Sequence, residues 1–276
     1  MKKSQTLIIE PGLAERYYFR SLWNFRELFL VLAWRDVSVR YKQTVIGLAW
    51  ALIQPLATMV IFTVIFGKVI KLPTEGNVPY ALLVYAGLLP WQLFSTSLTG
   101  ASNSLVTNSN LISKIYFPRI IVPAAAIIVS FVDFIISFLI LVALMVWYQY
   151  LPSWQILLLP IFVLMAFLAS FGPGLWISAL NVKFRDFRYI IPFIVQFGLY
   201  VSPVGFSSSV IPEHWRLLYS LNPIVGVIDG FRWAILGGDS AIYLPGFLLS
   251  WCVIFSFLWL GVRQFRKMEK SFADLI

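Results

Sequence analysis

The side chains of this 276-residue sequence that could do chemistry are few, and they do not converge. His214 is the single histidine, and its acidic neighbour Glu213 stands at i−1, where two side chains of a helix do not face each other. A water-facing or headgroup-level position accounts for His214 better than proton handling does. The carboxylates Glu213, Asp229 and Asp239 are separated by loop-like sequence and form no hydrolase or transferase pair. Cys252 is alone inside an apolar run, which excludes an internal disulfide and a Cys-based metal site. No G-x-x-x-x-G-K-[ST] loop and no G-x-G-x-x-G turn is present to cradle ATP or a dinucleotide. The residue types therefore point to no catalytic centre, no metal site and no cofactor.

Two features remain. Asp133 is the one ionisable side chain deep in a long apolar run, residues 120–147. A carboxylate there suits either a proton or cation path or a hydrogen bond inside a helix bundle. Ser130 and Ser137, at i−3 and i+4, share its helical face, and no apolar run offers a Lys or Arg partner or a second acid for a relay. The hydrogen-bonded reading is the better supported. The second feature is "RDVSVRYKQTVIGLAWALIQP", Arg35 to Pro55, in which three cations and one acid run directly into apolar sequence.

The elements that must carry these residues follow from composition. The chain is 60% hydrophobic, 17% aromatic and only 12% charged, about half the charge of a soluble domain. This describes an all-α integral membrane protein, so its net charge of +9 is a matter of topology and does not call for nucleic acid. Six runs are long enough to cross a bilayer, near 45–67, 79–98, 120–147, 154–180, 189–206 and 241–262. The third and fourth form a hairpin about Leu151-Pro152-Ser153, among the interfacial aromatics Tyr148, Tyr150 and Trp154. With the N-terminus inside, seventeen Lys and Arg fall on the cytoplasmic side and four, Lys68, Lys71, Arg216 and Arg232, fall outside. Both termini are therefore expected in the cytoplasm. Met1 to Arg26 is mixed polar sequence without the apolar core of a signal peptide.

Two segments fit neither a span nor a loop. Residues 22–42 read as a helix along the inner membrane surface, with Leu30, Trp34, Val37 and Tyr41 in one stripe and an Asp36–Arg40 pair four apart. Phe25, Phe29 and Leu32 fall on another face, so this helix touches something besides lipid. Residues 207–240 are too charged to span and too apolar for a solvated loop. Asn222-Pro223 reads as a helix start and Gly237-Gly238 as a stop, giving two short re-entrant helices near 212–221 and 223–236. Pro55, Pro90, Pro123, Pro160, Pro173, Pro192 and Pro203 interrupt the apolar runs, a density that suits a cavity-forming transporter better than an anchor. Most of the 24 Phe, 12 Tyr and 11 Trp belong to core and interfacial belts. By position, Phe62, Phe66, Tyr85, Phe197 and Tyr200 are the candidates for lining a channel.

The Arg35–Pro55 stretch resembles a hallmark segment of the type-2 ABC exporter permeases for cell-surface polysaccharides, which export O-antigen and teichoic acid. The runs "YAGLLPWQLFSTSLTGASNSLVTNSNLISKIYFPR", "LNVKFRDFRYIIPF" and "SPVGFSSSVIPEHWRLLYSLNPIVGVIDGFRWAILG" are similar to the same group in the same order. The resemblance covers about residues 25–265. It implies a homodimeric permease in the bacterial cytoplasmic membrane, serving two copies of a separate ATP-binding subunit and exporting an undecaprenyl-diphosphate-linked glycan. It divides the chain into a tail at 1–24, a transmembrane domain at 25–268 and a tail at 269–276. It also assigns ATPase contacts to Arg35, Asp36, Arg40, Tyr41 and Lys42, to Asn108 and Asn110 within the polar run 103–114, and to Lys183, Arg185 and Asp186. For each such charge the plain alternative is a positive-inside anchor. Arg40, Lys42, Lys114 and Arg119 are the candidates for receiving the lipid diphosphate, because phosphate recognition needs Arg or Lys at headgroup depth.

A type-2 exporter of a small molecule or drug would share the six spans. A membrane-embedded glycosyl- or acyltransferase would require acidic or histidine clusters that this sequence lacks, and a proton-driven flippase would require more intramembrane charge than Asp133.

Overall fold

A computed structural model describes residues 22–42, 47–74, 78–184, 186–237, 242–270 and 272. Among these every regular element is helical. Apart from single turns such as Ser109–Ile112, the helices in chain order are α1 (Arg26–Lys42), α2 (Gly47–Phe62), α3 (Tyr80–Thr107), α4 (Ile121–Trp147), α5 (Leu159–Lys183), α6 (Phe187–Val201), α7 (Glu213–Tyr219), α8 (Pro223–Leu236) and α9 (Leu244–Glu269). α2 continues as a π-helical stretch, Thr63–Val69. Among the described residues, five helices are long and apolar enough to cross a membrane: Leu52–Val69, Tyr80–Thr107, Ile121–Trp147, Trp154–Lys183 and Leu244–Glu269. The fifth expected span corresponds to α6, an apolar helix of 15 residues, about 22 Å long and shorter than a bilayer core.

α3 is the centre of the bundle. Every residue from Ala81 to Trp91 is buried, and α4, α5 and α8 pack around it, with α9 against α5. Apolar contacts gain little over lipid inside a membrane, so close backbone approach and interhelical hydrogen bonds hold such helices together. The α5–α9 crossing illustrates this: a Cβ on Gly172 would lie 2.6 Å from the Leu258 backbone nitrogen, and one on Gly261 would lie 2.1 Å from the Gly172 carbonyl oxygen. α3 keeps its helix nine residues past the expected end of its run, through the hydroxyl-rich TGASNSLVT. Its Thr and Ser side chains donate back to carbonyls one turn earlier, among them Thr96 to Gln92 and Thr99 to Ser95. Pro55, Pro90, Pro173 and Pro192 lie inside continuous helices.

α1 packs along the first half of α4 and runs in the same direction. The face turned to the protein carries Phe25, Phe29, Leu32 and Ala33, in one cluster with Ile121, Val122 and Ala125 of α4. Leu30 and Trp34, the expected stripe, are 62% and 68% exposed on the other side. α1 is thus apolar on two faces, and its end reaches the middle of α4. The expected short helices stand at α7 and α8. Asn222 caps α8 by accepting from the Ile224 N–H at 3.3 Å, and Gly237 ends it at φ +78°, a conformation that favours glycine.

α8 is not peripheral. Nearly all of it is buried, and Arg232, counted from the sequence among the outside cations, is 1% exposed. Its guanidinium donates to the carbonyls of Leu83 (3.3 Å), Phe206 (2.7 Å) and Val204 (2.9 Å). Gly87 supplies the space, since a Cβ there would lie 2.8 Å from an Arg232 nitrogen.

Candidate functional site

Five chain segments meet in a polar layer at the end of the bundle where α3, α5 and α9 finish and α4 begins, with α1 alongside. Arg35 of α1 pairs with Asp36 at 2.7 Å and donates to Asn108 Oδ1, just past α3, at 2.6 Å. Asn181, buried near the end of α5, donates to the Ser102 carbonyl and to Asn103 Oδ1 of α3, both at 3.2 Å. Arg119, before α4, and Glu269, ending α9, cap each other. The Glu269 carboxylate accepts the Arg119 backbone N–H at 2.8 Å, and the Arg119 guanidinium donates to the Glu269 carbonyl. This arrangement meets the donor need of a helix start and the acceptor need of a helix end in one contact. Phe272 lies under the Arg119 guanidinium and edge-on to Phe265.

From this layer the polar contacts continue into the bundle. Arg40 forms an ion pair with Asp133 at 2.6 Å, and the Tyr41 hydroxyl donates to the same carboxylate. Burial, and then that bond, pushes the Tyr41 phenol above its ordinary range, so at neutral pH it stays a donor. Sequence reading left Asp133 without a cationic partner; the cation comes from α1, 93 residues away, which reaches mid-span. The sequence pair Asp36–Arg40 is replaced by Arg35–Asp36 and Arg40–Asp133. Ser130 and Ser137 do share the Asp133 face, as expected, and both are buried. With Arg40, Gln54, Gln92, Ser95, Thr96 and Asp133 they line a cavity of about 100 Å³, room for roughly three waters. Such a chamber lets a charge pair sit between helices without full desolvation.

The other candidates separate into groups. Lys42, Asn110, Lys114 and Asp186 are exposed, and Lys183 is exposed with its ammonium 5.2 Å from the Phe184 ring. Arg185 lies outside the described residues. Phe62 and Phe66 stack edge-on at 5.4 Å, Tyr200 lies 6.3 Å from Phe62, and Gly205 packs beneath both phenylalanines. Phe197 is exposed and stacks on Phe193 at 4.3 Å. Tyr85 faces no opening: it is fully buried and donates to the Ser137 carbonyl of α4 at 3.0 Å. Sequence reasoning did not single out Asn181, Glu269 or Arg232 as site residues. The glycine of "YAGLLP" opposite an arginine inside an apolar short helix was the available signal for Arg232.

The site has no nucleophile–base pair, and no group of His, Cys, Asp or Glu among the described residues could hold a metal. What it can do is mechanical, because one helix is bonded both to the polar end of the bundle and to the middle of a span. The profile of the ABC-2 type transporter family matches residues 27–236, which contain the bonds of Arg35, Arg40, Tyr41, Asn181 and Arg232 described above but not Glu269, the partner of Arg119. The O-antigen export system permease protein RfbA of Klebsiella pneumoniae is 28% identical over 261 residues, covering 91% of this chain and 95% of that protein. The Myxococcus xanthus protein of the same name is 25% identical over 260 residues, covering 93% and 98%. The polysialic acid transport protein KpsM of Escherichia coli is 23% identical over 242 residues, covering 86% and 92%. Matched over residues 27–236, the greater part of its length, the chain belongs to the ABC-2 type transporter family.

Proposed function

We propose that this chain is the membrane-spanning permease subunit of an ATP-driven exporter that moves a lipid-linked cell-surface polysaccharide, such as O-antigen, across the bacterial cytoplasmic membrane. The near full-length similarity to O-antigen and polysialic acid transport proteins carries the substrate class. In this reading α6 is the fifth of six spans, α7 and α8 are re-entrant, and both termini are cytoplasmic. Residues 25–268 form the transmembrane domain, between tails at 1–24 and 269–276. α8 can sit at membrane depth without spanning because protein surrounds its backbone. Two copies of the chain serve two copies of an ATP-binding subunit, and no catalysis is assigned to this chain.

The observation that carries the mechanism is the double attachment of α1, through Arg35 to Asn108 and through Arg40 and Tyr41 to Asp133. The ATPase docks on the polar layer at Arg35, Asp36, Asn108 and Asn110 and contacts Lys183, Arg185 and Asp186, and its motion reaches α4 through the Asp133 clasp. Lys42 and Lys114 are exposed for the lipid diphosphate, whereas Arg40 and Arg119 are engaged on Asp133 and Glu269. Phe62, Phe66, Phe197 and Tyr200 border the glycan path.

Deleting the gene and scoring surface polysaccharide tests the reading. Lipid-linked glycan should accumulate inside and return to the surface with the wild-type gene. Unchanged surface glycan, with altered sensitivity to small toxic compounds instead, would favour a drug exporter. Failure of an ATP-binding subunit to co-purify would remove the ABC mechanism.

A further inference from the structure

One face of α9 has the form of a phospholipid site. Phe255, Leu258, Trp259 and Val262 follow one another at i, i+3, i+4 and i+7, and Arg263, Arg266, Lys267 and Lys270 continue the same face through two more turns. Apolar surface therefore gives way to cationic surface within one helical step, between Val262 and Arg263. The apolar stretch is about 12 Å long, a large part of one leaflet's hydrocarbon depth. Its rings face outward, with Phe255 53% and Trp259 59% exposed. The Arg263 guanidinium lies 5.0 Å from the Trp259 ring, which holds the cation at the boundary where a headgroup phosphate sits. The one acid of α9, Glu269, is turned to Arg119 and does not line this face.

We infer that this face binds an anionic glycerophospholipid, with its phosphate on Arg263 and Lys267 and an acyl chain along Phe255 and Trp259. Charge complementarity selects the occupant: four cations within eight residues favour a negative headgroup over a zwitterionic one. Arginine suits this place because its planar fork can hold a phosphate while stacking on an indole. The inference requires only that α9 cross a bilayer. It neither uses nor supports the polysaccharide reading, so failure of one leaves the other standing.

The test is native mass spectrometry of the purified full-length protein titrated with phosphatidylglycerol or phosphatidylcholine. The wild type should retain phosphatidylglycerol in preference to phosphatidylcholine. The double variant Arg263→Gln/Lys267→Gln should weaken phosphatidylglycerol retention about tenfold and leave phosphatidylcholine unchanged. Lys68→Gln/Lys71→Gln, which removes two exposed cations elsewhere, should have no effect. Trp259→Ala, which keeps every charge, should shorten retention of the same lipid. Equal retention of the two lipids, an equal loss in the Lys68/Lys71 variant, or displacement by inorganic phosphate as effective as by lipid would overturn the inference. Each variant is compared at matched elution volume, so a misfolded protein is not scored as a loss of binding.

Discussion

Two arginines among the described residues, Arg232 and Arg40, bond groups inside the bundle, and they are accommodated in different ways. Arg232 is enclosed, and its guanidinium bridges carbonyls from α3 and from the turn after α6. Arg40 keeps a side chain 49% exposed and meets a formal countercharge, Asp133, beside a small polar cavity. Carbonyl dipoles fixed by backbone hold a cation in one geometry, and moving it would strand several acceptors at once. An ion pair beside a cavity with room for water is more forgiving, because water can replace either partner. The comparison teaches that α8 is riveted to the core of the bundle while the end of α1 is clasped to it. A clasp is what a helix that transmits motion needs.

The largest effect should come from the rivet. Arg232→Leu leaves buried carbonyls unpaired and should cost on the order of 3 to 5 kcal/mol, read as loss of monodisperse protein in detergent. Arg232→Lys should rescue only part of this, because an ammonium cannot reproduce the bridging fork. Gly87→Ala should cost about 1 to 3 kcal/mol by pushing a methyl group toward a guanidinium that has nowhere to go. At the clasp, Arg40→Gln and Asp133→Asn should each lower the melting temperature modestly. In the double variant the two losses should fall short of additive, with a coupling of about 1 to 2 kcal/mol. Arg35→Gln, at the exposed bond to Asn108, should cost less than about 1 kcal/mol. If the Arg40 and Arg232 variants proved equally disruptive to folding, the distinction between rivet and clasp would collapse.

Much of the architecture was legible because it follows from local rules. The caps of α8 were readable as Asn222-Pro223 and Gly237, and most long helices start within a few residues of their apolar runs. α3 outlasts its run with its Ser and Thr hydroxyls satisfied by carbonyls of the same helix, so polar composition did not mark its end. α6 is shorter than its apolar run because the chain turns at Ser202 and Pro203 to place carbonyls around Arg232. The two apolar faces of α1 were visible, but which of them meets the protein depends on α4. Asp133 was recognised as costly, yet its partners Arg40 and Tyr41 lie in a charged segment more than ninety residues earlier. Counting charges placed Arg232 among the outside cations, since a tally by side cannot foresee a cage of three carbonyls contributed by two separate segments.

The central claim, that the α1 clasp carries work into the spans, is tested most directly with the Asp133→Asn variant reconstituted with its ATP-binding subunit. ATP hydrolysis and glycan export should be measured in the same vesicles. The subunits should assemble and hydrolysis should stay within about twofold of wild type while export falls by about tenfold or more. Arg40→Gln/Asp133→Asn should export better than Asp133→Asn alone, because no orphaned cation remains. Wild-type export per ATP in Asp133→Asn would contradict the claim.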